Sequence, residues 1–572
     1  MKRIYYIQLI GMVALFAACK HDPVVEPEEP QQQDTTEQYV PKAEWELADS
    51  LYTPADYTVP SHTMLKIAIS ACADNPSEEN LAVMRQKIEE LVPKTEPYCM
   101  VATINGDPKS RMGFCWMTND SVFDGVVQLV AKENATEADF ESGVIEIPAT
   151  TKRTKAITYG GICSYIVRAS GIPKNEKYRY ISHKAIAENL TPGCAYSWRV
   201  GYEGHWSKIA QFRTEDAEQG EYSFIYMTDS HIMNAEYISK ARRCALAAAK
   251  TVPEARFCVF PGDFVEDGEQ VNSEWEWERW FEEAMKPVIM QMPIVPTDGN
   301  HDPSPNLNYT HHFNTDNAFY NSCFIPQYEG VVYDFVYGDA LFLVFSMQDY
   351  WRVQYSYADP PSSIYLNKIS DWFISRTTAN PDTKYRISLA HFNLFSGSDH
   401  SIDNDPPLFR ACMLPTMKLC EVDLALQGHD HTYEVIGPVN PDDCTPILDA
   451  ISDREEVPVD KNMNATGYKG GTFCTDDGTL YFIGATCGAK KYYPHSRERM
   501  EADYNSGKHN VPNYFDLFTG MFGQPEKPSF TKITVKDDCI EFNSYTADND
   551  EGNVTLFNTM RVVRTKPHSV PN

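Results

Sequence analysis

The sequence predicts an α/β (α+β) multidomain chain, and three observations predict it. Its 572 residues exceed what one hydrophobic core ordinarily serves. Between about residues 96 and 216, short apolar segments recur among Gly, Pro, Asn and Asp with no helical period, which is an all-β pattern. From about residue 220 onward, strand-like and helix-like runs alternate, the rhythm of βαβ units around a largely buried sheet. The apolar share of 42% and charged share of 23% are those of a globular protein and exclude wholesale disorder. A formal net charge of −30 without a basic stripe argues against nucleic-acid binding, although a local cation can still draw in a small anion.

The N-terminus reads as a targeting segment. Lys2 and Arg3 precede the apolar run Ile4 to Phe16 and the small pair Ala17-Ala18, so residues 1–18 fit a cleaved export signal. The apolar stretch is short for a membrane span. The run Leu15-Phe16-Ala17-Ala18-Cys19 resembles a bacterial lipobox. That resemblance implies lipid attachment at Cys19 and a place in the bacterial cell envelope. Residues 19–40, rich in Pro, Glu and Gln, read as a disordered tether.

Residues 41–95 read as a helical extension, with Asn75 as cap, Pro76 in the first turn, Glu78 completing a capping-box spacing and Pro93 closing. Leu81, Met84, Ile88 and Leu91 give it one apolar face. The 15 cysteines have no framework spacing; Cys115 and Cys258, in apolar runs, read as buried thiols, and no disulfide is assigned.

Within residues 96–216, the segment Leu190-Thr191-Pro192-Gly193-Cys194-Ala195-Tyr196 precedes an expected strand, Ser197 to Val200. Leu-x-Pro-Gly-x-x-Tyr resembles the tyrosine corner of fibronectin type III sandwiches, where a buried hydroxyl bonds to upstream backbone. The acidic stretch Glu215 to Glu221 marks a boundary. Beyond it, strands are expected at Tyr222 to Met227, Arg256 to Phe260, Pro293 to Pro296, Ala340 to Phe345, Tyr385 to Ala390, Val422 to Leu426 and Leu480 to Ala485. Helices are expected at Ala235 to Lys250 and Ser273 to Met290. The segment 501–572 is expected to add C-terminal strands to the same region.

Ligands in such folds bind beyond the carboxyl ends of the strands. Those ends carry Asp229-Ser230-His231, Gly262-Asp263 with Asp267, Gly299-Asn300-His301-Asp302, His391, and Gly428-His429-Asp430-His431. Setting His301 aside, they offer carboxylates, a carboxamide and four imidazoles without a thiolate. That donor set suits Zn, Fe or Mn in hydrolytic chemistry. It exceeds the needs of one tetrahedral ion and fits a pair sharing one carboxylate.

In order and spacing, these fragments resemble the motifs of the calcineurin-like metallophosphoesterase superfamily, D-x-H, G-D-x-x-(x)-D, G-N-H-D, a lone His and G-H-x-H, over roughly residues 220–500. The β-rich region before it, with Tyr196-Ser197-Trp198-Arg199-Val200-Gly201, resembles the purple acid phosphatase subgroup. The resemblance implies a fibronectin-like all-β sandwich followed by a β-sandwich core flanked by helices. It implies two divalent or trivalent metal ions, the first held by Asp229, His231, Asp263 and His431. Asp263 would bridge to a second, completed by Asn300, His391 and His429. It further implies hydrolysis of phosphomonoesters by a metal-bound hydroxide, with catalytic His301 beside the leaving group. One departure stands out. Purple enzymes have Tyr three residues after the bridging aspartate and lack the first-motif His, whereas this chain has Glu266 and His231. Tyrosinate colour is therefore not expected, and a ferric first ion is less favoured.

Asp267 or Asp302 is the expected carboxylate partner of His301. His311-His312 and Lys490-Lys491-Tyr492 offer groups that could approach a leaving group or phosphate, but as loop residues they read first as solvated and are left outside the site. The expected partners are a small phosphorylated substrate and a membrane. A phosphodiesterase or nucleotidase would use the same ligands, and a surface-binding protein would use the sandwich alone.

Overall fold

The structure is a computed structural model. It describes residues 71, 75, 77–89, 94–154, 157–158, 177–178, 180–266, 274–302, 307–323, 328–347, 364–398, 400, 405–440, 455–456, 471–493 and 519–571. The export signal, Cys19, the tether, Pro76, Leu91, Pro93 and Asp267 lie outside the described residues. The helix of the extension spans Glu78–Glu89. Ser77 caps it rather than Asn75, because Ser77 Oγ accepts the Asn80 N–H at 3.2 Å.

The β-rich region forms two facing layers. Ala195–Tyr202 pairs antiparallel with Val126–Val130 on one side, and with His205–Trp206 and Ala210–Arg213 on the other. In the opposite layer, Met112–Asn119 lies between Tyr98–Thr103 and Tyr180–Ala187. Phe114 bridges the layers, its ring 4.9 Å from Trp198 and 5.8 Å from Phe212. Tyr196 makes the expected corner, its hydroxyl accepting the Thr191 N–H at 3.0 Å.

The boundary at Glu215 to Glu221 does not interrupt the sheet. Tyr98–Thr103 pairs in parallel with Ile294–Thr297, so the β-rich region and the following region share one eleven-stranded sheet. All six residues of Tyr98–Thr103 are buried, as a strand with neighbours on both edges requires. This pairing also covers what would otherwise be an open edge.

Two sheets make up the core of the second region. The first carries the parallel strands Tyr222–Tyr226, Cys258–Pro261 and Ile294–Thr297. The second carries the parallel strands Ala340–Val344, Tyr385–Leu389, Leu424–Gln427 and Thr479–Gly484. Their inner faces meet through aromatic rings, with Phe224 5.6 Å from Phe342 and Tyr226 5.3 Å from Phe482. Helix Ala235–Thr251 buries its alanines against the outer face of the first sheet, and Ile364–Ala379 and Asp405–Leu419 pack together. The helix expected at Ser273 to Met290 is interrupted. Glu274–Arg279 gives way to a wider π-helical turn, Trp280–Ala284, and a short helix, Lys286–Ile289, restarts around Pro287. Proline has no N–H to continue the earlier helix.

The C-terminal strands Ser529–Val535, Ile540–Ala547 and Val554–Val563 form an antiparallel meander that extends the first sheet beyond Tyr222–Tyr226. Among the described residues, no helix is long and apolar enough to cross a membrane.

Candidate metal centre

The parallel strands of both sheets deliver their carboxyl ends to one rim. From the first sheet come Asp229 and His231 after Tyr226, Asp263 after Pro261, and Asn300 and His301 after Thr297. From the second come His391 after Leu389, and His429 and His431 after Gln427. Five of these residues adopt the left-handed backbone region: Asp229 (φ 58°), His231 (46°), Asp263 (51°), His429 (74°) and His431 (41°). Each such turn is a local cost for a residue with a Cβ, concentrated here where side chains must point inward. The turns are tied together, since Asp229 N donates to Gly262 O at 3.2 Å and His231 N to Asp263 O at 3.1 Å. Gly262 has φ +83°, and a Cβ there would lie 2.6 Å from the Gly299 backbone. Glycine at both positions lets the second and third motifs touch.

The donors then converge. Asp229, His231, Asp263 and His431, all buried, each offer an atom within 4.8 Å of the others, as do Asp263, His391 and His429. His231 Nε2 lies 3.0 Å from His431 Nε2 and 3.2 Å from Asp263 Oδ2. His431 Nε2 lies 3.2 Å from Asp229 Oδ1. On the other side of Asp263, His391 Nε2 lies 3.3 Å from its Oδ2 and 2.9 Å from Asn300 Oδ1. Asp263 belongs to both groups.

Surrounding groups fix the imidazoles. His391 Nδ1 donates to Pro261 O at 2.8 Å, which fixes the ring with Nε2 turned toward Asp263. His231 Nδ1 lies 2.6 Å from Glu266 Oε2, which likewise holds its Nε2 toward Asp263. The Nε2 atoms of His231 and His431, 3.0 Å apart beside two carboxylates and with no thiolate, are the donor set of a cation site, so the residues fit the expected metals. Burial alone would suppress charge here, yet neighbours override it at His231, His391 and Glu266. Burial lowers His231 and His391, but the Asp263 carboxylate lifts both to about 9. Burial raises Glu266, but the His231 hydrogen bond and nearby positive charges bring it to about 2. His431 falls to about 4, because burial outweighs the pull of Asp229.

His301 differs from the others. Its side chain remains 25% exposed, its N–H donates to Asp263 Oδ1 at 2.9 Å, and its Nδ1 bonds Glu266 O at 2.6 Å. The expected partnership with Asp302 is not formed. Asp302 is buried and accepts N–H groups from Phe264, Val265 and Gly299, each at 3.1 Å, so it clamps two motif loops together instead.

His311 and His312 are not solvated; they are buried on Leu307–His312, where His312 stacks on Trp277 and bonds Glu274 at 2.9 Å. Lys490 and Tyr492 are at the centre. The Tyr492 ring stacks on His431 at 4.5 Å, and Lys490 Nζ lies 3.6 Å from Glu266 Oε1. His400, which the sequence left unmarked, stacks on His429 at 3.8 Å. His400 carries no motif, so only the tertiary contact reveals it. The cysteine reading holds for Cys115 and Cys258, which are buried free thiols.

Comparison with known proteins agrees with this geometry. Residues 97–214 match the family described as purple acid phosphatase, N-terminal domain, and residues 222–433 match the calcineurin-like phosphoesterase family. The chain is a phosphoester hydrolase. The purple acid phosphatase from yellow lupin (Lupinus luteus) seeds is 13% identical with a TM-score of 0.54, covering 82% of this chain and 75% of that one, which shows a shared fold. A structure of PhoD is 10% identical with a TM-score of 0.48, covering 81% of this chain and 89% of that one. No curated protein sequence matches the chain. The phosphoesterase domain therefore contains every strand end that bears a predicted ligand.

Proposed function

We propose that this phosphoester hydrolase is a two-metal phosphomonoesterase, and the observation that carries the reading is the pair of donor groups sharing Asp263. Asp229, His231, Asp263 and His431 would hold one ion, and Asp263, Asn300, His391 and His429 the other, as Zn, Mn or Fe. When bound, such ions lower the pKa of water toward neutrality and neutralise phosphoryl oxygens, which lets an acidic protein accept an anionic ester. The chain's own residues prepare this. Asp302 holds the Asp263 and Asn300 loops in register, and Glu266 orients His231. His301, with Nδ1 committed to the Glu266 carbonyl and its side chain 25% exposed, would use Nε2 to donate a proton to the departing alkoxide.

The test is hydrolysis of p-nitrophenyl phosphate and its bis-ester by protein loaded with Zn, Mn or Fe, beside Asn300→Ala. Metal-dependent turnover of the monoester, lost in the variant, is the expected result. Preference for the bis-ester would make the enzyme a diesterase, and absence of bound metal would overturn the reading.

We also infer that Cys19 carries a lipid anchor in the bacterial cell envelope and that the β-rich region is a fibronectin-like sandwich. The first is supported by the Leu15 to Cys19 run after a basic and apolar leader, the second by the Tyr196 corner. Metabolic labelling with a fatty acid should mark the protein and fail to mark Cys19→Ala.

A further inference from the structure

We propose that Lys490 is a specificity-determining residue, its ammonium receiving a second anionic group carried by the alcohol that leaves on the His301 side, a role that presupposes the hydrolysis proposed above. Lys490 sits on the loop after Thr479–Gly484, and this loop is fastened to the centre by its backbone. Cys487 N donates to Thr228 O at 2.9 Å, and Thr486 Oγ1 donates to Asp229 O at 2.6 Å. Gly488 lies so close to the first motif that a Cβ there would be 2.5 Å from Ser230 O. Just past Lys490, the Tyr492 ring is stacked on His431. Gln524 Nε2 donates to the carbonyls of Tyr492 at 2.6 Å and His431 at 3.0 Å, pinning that end as well. Lys490 is thus held between two fixed points and is not a wandering surface lysine.

Its charge lies beside Glu266, the carboxylate that also faces His301. Lys490 Nζ lies 3.6 Å from one oxygen of Glu266, whose other oxygen lies 3.8 Å from His301 Nδ1. The ammonium and the His301 imidazole therefore face the same carboxylate. At 3.6 Å the ammonium is an ion-pair partner but not a hydrogen-bond donor to Glu266. Glu266 already spends its short contact on His231 at 2.6 Å. Lys490 makes no hydrogen bond to a described residue, and its side chain is 23% exposed, so its donors can meet a ligand. The adjacent Lys491 is instead occupied by Glu526 at 2.7 Å. An ammonium has no lone pair for a metal, and in a chain of net charge −30 a second substrate anion needs such a local cation.

The experiment compares phenyl phosphate, 3-carboxyphenyl phosphate and 1,3-phenylene bisphosphate on metal-loaded wild type, Lys490→Met and Lys490→Arg. In Lys490→Met the ratio of kcat/KM for the anionic esters to that for phenyl phosphate should fall about tenfold, the scale of one charged hydrogen bond, and Lys490→Arg should largely restore it. A fall confined to one anionic ester names carboxylate or phosphate as the group recognised. Equal loss on all three esters, or an unchanged ratio, overturns the assignment. Calorimetry with phenylphosphonate and 3-carboxyphenylphosphonate gives the same ratio from Kd. If wild type turns over no ester, the hydrolase reading fails, while the Kd ratio still decides whether Lys490 reads a second anion.

Discussion

His231 Nδ1 lies 2.6 Å from the carboxylate of Glu266, and the two residues form one unit. These are the two positions at which the sequence departs from the purple acid phosphatase pattern. Their contact joins the two departures: the His231 imidazole has Glu266 as the acceptor for its Nδ1, which holds its Nε2 toward Asp263.

Loss of that acceptor should loosen the centre. Glu266→Ala is expected to weaken metal affinity by roughly 10- to 100-fold, with Glu266→Gln losing less because its amide oxygen still accepts the His231 N–H. Competition with a chromophoric chelator measures this directly, and an unchanged affinity in the alanine variant would refute the orienting role.

Gly262 should tolerate no side chain. Its φ of +83° and the 2.6 Å approach to Gly299 mean that Gly262→Ala must move a backbone segment carrying Asp263 or Asn300. A destabilisation of about 2–3 kcal/mol is expected, with bound metal reduced. Urea unfolding alongside metal analysis would check both.

Asp423 should anchor the C-terminus. It is fully buried beneath the strand that leads to His429. Its oxygens accept Arg564 Nη1 at 3.0 Å, His568 Nε2 at 2.9 Å, Arg386 N at 2.8 Å and Thr475 Oγ1 at 2.9 Å. Asp423→Ala leaves the buried Arg386 N–H and the His568 ring without their acceptor and removes one of the two carboxylates on Arg564, the other being Glu421, and a loss of about 1–3 kcal/mol is expected from denaturant unfolding.

Stability should depend on pH through Glu215, at the end of the β-rich region. It is buried, accepts the Gly338 N–H at 2.8 Å, and burial raises its carboxyl from 4.5 to about 7. Because the folded pKa lies above the unfolded one, the native state binds the extra proton between these values. The contribution is therefore complete below about pH 4.5 and lost as pH rises through about 7. Glu215→Gln does not titrate, so its Tm relative to wild type should rise by roughly 2 °C between pH 5 and 8. A constant difference across that range would show that Glu215 keeps an ordinary pKa.

The donor types, their order and their position at strand ends were legible in the sequence, because each motif is a local turn after an apolar run. Gly262-Asp263 and Gly299-Asn300 announce such turns through their glycines alone. The tyrosine corner was legible for the same reason, since Thr191 and Tyr196 are five residues apart. Other features have no local signature. His231 and His431 meet at 3.0 Å across 200 residues, and that meeting depends on two sheets packing face to face. The single sheet running from Tyr98–Thr103 into Ile294–Thr297 depends on an edge finding its partner. Lys490 and Tyr492 reach the centre only because their loop is fastened to Thr228 and Asp229. The sequence by itself determined which groups were available and which strand end each would occupy. The tertiary structure decided how closely the donors gather on either side of Asp263, that Glu266 serves His231 and that Lys490 stands beside Glu266. The physical reason is that backbone turns are set by neighbouring residues, whereas convergence of side chains is set by the packing of distant strands.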